Sequence, residues 1–146
     1  MISPKVVITG VSEVQKQFEK AVKEEVKALK NALKLSAALV AADAVKSIGE
    51  VSKGDKKVKR GKKWHTISKE GDAPNRDRGR LLESINIKVN DTSAEVRANV
   101  NYAAALEKGT KKMKARPFLE PALEKNRKKI NDIFGKEINM AVAIDG

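Results

Sequence analysis

The apolar residues of this chain change their spacing twice, and that limits the folds open to it. Val14, Phe18, Val22, Val26, Leu29 and Leu33 recur at steps of three or four, the spacing that lines one face of a helix. Ile85, Ile87 and Val89 instead alternate with polar residues, as do Ala94, Val96, Ala98 and Val100 beyond an intervening "NDTS". Alternation builds strands with one apolar face, and Asn-Asp-Thr-Ser supplies turn chemistry, so this segment is expected to be an antiparallel hairpin. From Leu119 the helical step returns through Leu123, Ile130, Phe134, Ile138 and Val142. Helix, hairpin and helix in that order predict an α+β fold.

The remaining segments fit around this frame. "KVVITG" reads as a short strand closed by Gly10, and Ser12 with Gln15 matches a capping box that starts a helix near residue 12. From Ala32 to Val51 the sequence is apolar on nearly all sides and rich in alanine, as expected of a helix packed closely against neighbours. The pattern leaves open whether 12–51 is one bent helix or two. Residues 101–108 offer one or two helical turns stopped by Gly109, and Pro117 fits the first position of the long C-terminal helix, with a weak point at Gly135. No repeat or linker separates two cores, so residues 1–146 are expected to form a single domain.

Several classes of chemistry lack their materials. The chain has no cysteine, which excludes disulfides, thiolate metal sites and cysteine nucleophiles. The start "MISPKVVITGV" lacks the basic and apolar regions of a signal peptide, and "LSAALVAA" at 35–42 is too short to span a bilayer, so a soluble cytoplasmic product is expected. His65 is the only histidine and stands beside Trp64 without convergent partners, so it reads as a loop residue. "GDKKVKRGKK" falls short of a phosphate loop, because its glycines are too far apart and no Ser or Thr follows the lysine. Glu120 and Glu124 read as a solvated ion-pair face with Lys128, and the Asn90 sequon reads as the hairpin turn. No enzyme, cofactor or metal is expected.

Charge is concentrated. Residues 53–80 hold eleven Lys and Arg against four Asp and Glu, a net +7 of the chain's +12. With five glycines and prolines and no apolar period, this stretch reads as a long mobile basic loop. Its field attracts polyanions, so Lys56, Lys57, Lys59, Arg60, Lys62 and Lys63 are candidates for non-specific contact with DNA. An acidic protein surface is an equally good target. Apart from Trp64 the interleaved aromatics that stack on single-stranded bases are missing.

Three pieces in order carry a resemblance. "APNRDRGRLLESI" at 73–85, the hairpin, and "YAAALEKGTKKMKARPFLEPAL" at 102–123 are similar to the neck or tail-completion family of long-tailed bacteriophages, also described as head-tail joining or tail-component proteins. Pro74, Asp77, Gly79, Leu81, Ser84 and Ile85 match its first motif; Tyr102, Ala103, Glu107, Gly109 and Thr110 its second; and Arg116, Pro117, Phe118, Leu119, Pro121 and Ala122 its third. The likeness covers nearly the whole chain. Arg78 stands where threonine is usual and Lys108 where an aromatic is common, so contacts at those positions are not carried over. Residues 53–71 fall where family members differ in length, so their role is not inherited.

The resemblance implies a non-enzymatic virion subunit that forms a homo-oligomeric ring and joins or completes the tail at the head-tail interface. Its implied partners are the connector, the tail terminator or the tail tube, and its implied place is the virion neck, after assembly in the bacterial host cytoplasm. Pro74, Gly79, Leu81, Ser84 and Ile85 then form a structural motif. Tyr102, Glu107, Gly109, Thr110, Arg116, Pro117 and Phe118 form the expected subunit or partner interface, since a Gly-Thr bend followed by Arg-Pro-Phe offers a charged fork and an apolar anchor before a rigid helix. On residue chemistry alone Tyr102 and Phe118 could instead be core residues capping the hairpin. The rival reading is a small basic protein that holds DNA without sequence specificity through residues 53–80.

Overall fold

The computed structural model describes the backbone of residues 3–8, 23–54 and 56–145; side chains of 23–25, 138 and 140–145 are outside the description. Strand β1 (Lys5–Ile8) leads to helix α1 (Lys23–Gly49), a two-stranded hairpin of β2 (Lys57–Arg60) and β3 (Lys63–Thr66), and a short helix α2 (Arg80–Glu83). Strands β4 (Ile85–Val89) and β5 (Ala94–Ala98), a short helix α3 (Ala103–Lys108) and the long helix α4 (Leu119–Asp145) complete the order. Helices and antiparallel sheets in this arrangement make the α+β fold that the spacing predicts. The expected helix start at Ser12, with Val14, Phe18 and Val22, lies outside the described residues.

The main sheet has the order β1-β5-β4, all antiparallel. Ile85, Ile87 and Val89 pair with Ala98, Val96 and Ala94, while Val6 and Ile8 pair with Val96 and Ala94. Paired residues share a face, so these eight side chains form one apolar surface turned towards the helices. Ala94, Val96 and Ala98 on the central strand are fully buried, whereas Ile87 on the edge strand is exposed. The opposite face carries Glu95 between Lys5 (3.3 Å) and Arg97 (2.9 Å). Their cations hold the Glu95 carboxyl below the usual range, the Lys5 hydrogen bond contributing most.

Helix α1 is continuous from Lys23 to Gly49, so the apolar, alanine-rich stretch contains no break within the described residues, and the expected start at 12–22 lies outside them. Leu29, Leu33, Ala37, Val40, Ala44 and Ile48 form its buried stripe, joined by buried Ala32 and Ser36. The small residues let α4 approach closely, and Phe118, Leu119, Ala122 and Ile130 pack into the same core. Val26 and Leu35 stay exposed, as does Val51 just beyond the helix. The apolar run from 32 to 51 therefore does not mean a helix enclosed on all sides.

One polar contact locks the two long helices in register. Asn126, wholly buried on α4, donates from Nδ2 to the Asp43 carboxylate on α1 at 2.5 Å and to the Ala122 carbonyl at 2.8 Å. Lys125 adds an ion pair to Asp43 at 3.6 Å. The Asn126 hydrogen bond holds the Asp43 carboxyl below its ordinary value; burial opposes this, and Lys125 and Lys129 assist. A depressed folded-state pKa stabilises the fold above the unfolded value and loses that contribution as pH falls through the folded one. Asp43→Asn should therefore melt below the wild-type protein at neutral pH, with a gap that narrows as pH drops below about 4. Thermal melts of both proteins across that range measure the gap, and a gap independent of pH would contradict the assignment.

Candidate functional site

Residues 53–80 depart from the expected mobile loop. Lys57, Val58, Lys59 and Arg60 pair with Thr66, His65, Trp64 and Lys63, leaving Gly61 and Lys62 as a two-residue turn. Gly61 has φ 64, and no non-glycine residue described has positive φ, which fits a turn with glycine in its first central position. Charge hid the strand alternation, because four of the eight strand residues are lysine or arginine. The hairpin is fastened to the body. Asn75 accepts from the Ser52 N–H at 2.8 Å and donates to the carbonyls of Ser52 and Thr66, both at 2.9 Å, while Arg60 pairs with Asp77 at 3.7 Å. Sequence reasoning missed Asn75, whose only local signal is its place beside Pro74 in a polar stretch.

The opening from α3 to α4 is built around Glu107. Helix α3 ends at Gly109, whose N–H donates to the Ala105 carbonyl at 2.8 Å, as the expected helix stop requires. Gly109 has φ 75, and a Cβ there would lie 2.8 Å from the Ala115 nitrogen and 2.9 Å from the Met113 carbonyl oxygen. Only glycine fits this close return. The Thr110 N–H donates to the Met113 carbonyl at 2.7 Å, and its hydroxyl accepts from the N–H groups of Lys112 (3.2 Å) and Met113 (3.1 Å). The turn brings the Arg116 N–H to the Leu106 carbonyl at 2.6 Å.

Glu107, buried at 9% exposure, then accepts three backbone donors: the N–H groups of Phe118 (2.9 Å) and Leu119 (3.1 Å) on Oε2, and of Glu120 (2.8 Å) on Oε1. These are the donors a helix start leaves without internal partners, and the residue that follows, Pro121, has no N–H to satisfy. The carboxylate also meets the positive end of the helix dipole. The proline of the first turn is thus Pro121, which corrects the placement of Pro117, two residues ahead of the helix.

This geometry corrects two expected interface residues. Phe118 is 1% exposed and its ring fills the chain's own core; the Glu107 carboxylate is occupied by helix α4. Neither side chain is free to meet a partner. Pro117 lines a separate cavity of about 450 Å³ with Asp43, Ser47, Pro121 and Lys125. Thr110 lies with Lys56 and Lys114 around a third hollow of about 440 Å³. Ser84 closes α2 by donating to the Leu81 carbonyl at 2.7 Å, and Ile85 begins β4.

The other motif residues converge. Pro74, Gly79 and Leu81 from the first motif and Tyr102 and Arg116 from the second and third all line one cleft of about 550 Å³, with Arg60 and His65 contributed by the hairpin. Tyr102 is exposed. Arg116 lies across one wall, its Nε donating to the Ser68 carbonyl at 3.3 Å. Arg76, Arg78 and Arg80 line the same cleft, and none of the three forms an ion pair among the described residues. Sequence reasoning passed over them as loop charges. Their signal was a spacing of two in "RDRGR".

Lys56, Lys57, Lys59, Arg60, Lys62 and Lys63 are all exposed on or beside the β2–β3 hairpin, and Trp64 is 68% exposed, so Trp64 does not anchor the segment to the body. Among the described residues, no group of three or more His, Asp and Glu could hold a metal ion, and no helix is long and apolar enough to cross a membrane. Comparison with protein-family models, curated proteins and solved structures finds no match for the chain.

Glu107→Ala should destabilise the fold by about 3 kcal/mol, because three helix-end donors lose a charged acceptor, and Glu107→Gln by about 1 kcal/mol, since one carbonyl oxygen remains. Urea denaturation of the two variants measures this order. Equal stability of wild type and Glu107→Ala would remove the capping role.

Proposed function

We propose that the chain is a structural subunit of a long-tailed phage neck, one that assembles as a ring and joins or completes the tail at the head-tail interface. The observation that carries this reading is the meeting of Pro74, Gly79, Leu81, Tyr102 and Arg116 around one cleft. Those residues come from all three segments that carry the likeness to neck and tail-completion proteins. A site assembled from them is available for contact, since Tyr102 is exposed and Arg116 half-buried. The joint is narrower than the sequence segment implies, because it lacks the Phe118 and Glu107 side chains. The connector, the tail terminator and the tail tube are the partners on this reading, and the virion neck is the location.

The test uses Tyr102→Ala and Arg116→Ala in assembled particles viewed by negative-stain microscopy. Free heads and free tails should accumulate in both variants. Normal joining in both would remove the cleft from the joint. Phe118→Ala is a poor probe, because deleting a buried ring costs about 3–5 kcal/mol and would report folding.

A second reading has its own observation. The β2–β3 hairpin presents five lysines and arginines on exposed positions beside an exposed Trp64, materials for sequence-independent contact with a nucleic-acid backbone. If the hairpin holds DNA, duplex binding at low salt should fall steeply as salt rises and should weaken when Lys57, Lys59, Lys62 and Lys63 are changed to Ala. Fluorescence anisotropy with a labelled duplex measures both effects. Absence of binding at low salt would remove this reading.

A further inference from the structure

We infer that the arginine-lined cleft is a docking site for an acidic segment of another protein, one that inserts an apolar side chain flanked by carboxylates. The reading concerns partner chemistry and holds whether or not the partner belongs to a virion. Arg60, Arg76, Arg78, Arg80 and Arg116 line the cleft with a single carboxylate, Asp77, so five cations meet one anion and the lining carries +4. Guanidinium groups hold a planar fork of donors that matches a carboxylate in two hydrogen bonds. Arg76, Arg78 and Arg80 are exposed at the rim.

The interior differs from the rim. Ile48, Ile67, Leu81, Leu106 and Met113 supply apolar wall, a lining that rewards an apolar side chain as well as a charge. Ser68 lies among them, is 4% exposed, and its hydroxyl has no hydrogen-bond partner. That oxygen exposes less than 1 Å², so it belongs to the wall behind the cleft surface. Ser68 is the only lining residue whose side chain is both buried and unsatisfied among those described.

The shape and charge choose between occupants. A concave space of about 550 Å³ admits a side chain and its neighbours but not a DNA duplex, whose phosphate backbone is met as well by the exposed lysines of the hairpin. At this cleft a second copy of the chain is a poorer occupant than an acidic segment, since its Lys and Arg outnumber its Asp and Glu by 31 to 19; the ring contacts of the proposed neck subunit would use other faces. An acidic partner gains both steering and forked hydrogen bonds.

The experiment titrates the ¹⁵N-labelled full chain with a synthetic peptide holding one phenylalanine between two pairs of glutamates, at about 50 mM salt, where surface electrostatics are weakly screened. The controls are the same peptide with glutamine for glutamate, and a short DNA duplex. The glutamate peptide should shift the amide signals of Ser68, Gly79, Leu82 and Arg116, while the glutamine peptide should bind at least tenfold more weakly. The triple change Arg76→Ala, Arg78→Ala, Arg80→Ala should weaken peptide binding at least tenfold with an unchanged melting temperature, since all three side chains are exposed. Changing Lys57, Lys59, Lys62 and Lys63 to Ala should weaken it less than twofold.

No shifts at millimolar peptide, equal binding of the glutamine peptide, shifts confined to the lysine hairpin, or DNA perturbing the cleft residues where the peptide does not would each overturn the inference. The neck reading is judged separately. If the peptide fails while Tyr102→Ala still blocks joining, the acidic-segment inference falls and the joint stands.

Discussion

The carboxylate of Glu107 at the start of α4 is the interaction on which the rest of the structure depends. A helix that begins inside a protein brings several N–H groups out of water at once, and each must find an acceptor. Here Leu119, the first residue of the helix, and Phe118 just before it are also core residues, so water cannot serve. Glu107 supplies the acceptor for three donors and Pro121 removes the fourth. Only then can Phe118 and Leu119 be buried without leaving polar groups stranded beneath them. The helix that follows lies along α1, where small residues and the Asn126–Asp43 contact fix its register.

The same short helix that carries Glu107 also sets the cleft. Leu106 and Glu107 are adjacent on α3, and between them they grip the chain at Arg116 and again at 118–120. Gly109 makes the return tight enough for both grips. Arg116 is thereby set against Ser68, in the cleft that the Arg76–Arg80 segment also lines. Asn75 and the Arg60–Asp77 pair fix the hairpin alongside. Of the cleft's arginines, Arg60 and Arg116 are thus held by named partners, the Asp77 carboxylate and the Ser68 carbonyl.

Much of this was legible in the residues, and the parts that were not have a common cause. The β4–β5 hairpin, the Gly109 stop and the two long helices follow from spacing and from local backbone rules, which act over a few residues. Glu107 was visible as part of a motif, but its action on Phe118 spans eleven positions, and no local pattern announces a cap supplied from so far away. The same holds for Asn75, which reaches back to Ser52. The β2–β3 hairpin was hidden differently. Half of its eight strand residues are lysine or arginine and only Val58 and Trp64 are large and apolar, so apolar alternation is absent, and pairing depends on the Gly61 turn and the clamp beneath it. The arginines of the cleft were visible only as net charge until the fold set them around one space.

Amide hydrogen exchange tests the central claim most directly. If Glu107 holds the start of α4 and through it the wall of the cleft, the amides of Phe118, Leu119 and Glu120 exchange slowly in the wild-type protein. In Glu107→Ala they should lose protection together with Arg116, while the β4–β5 ladder keeps its protection under conditions where the variant stays folded. Unchanged protection at those four amides would contradict the account.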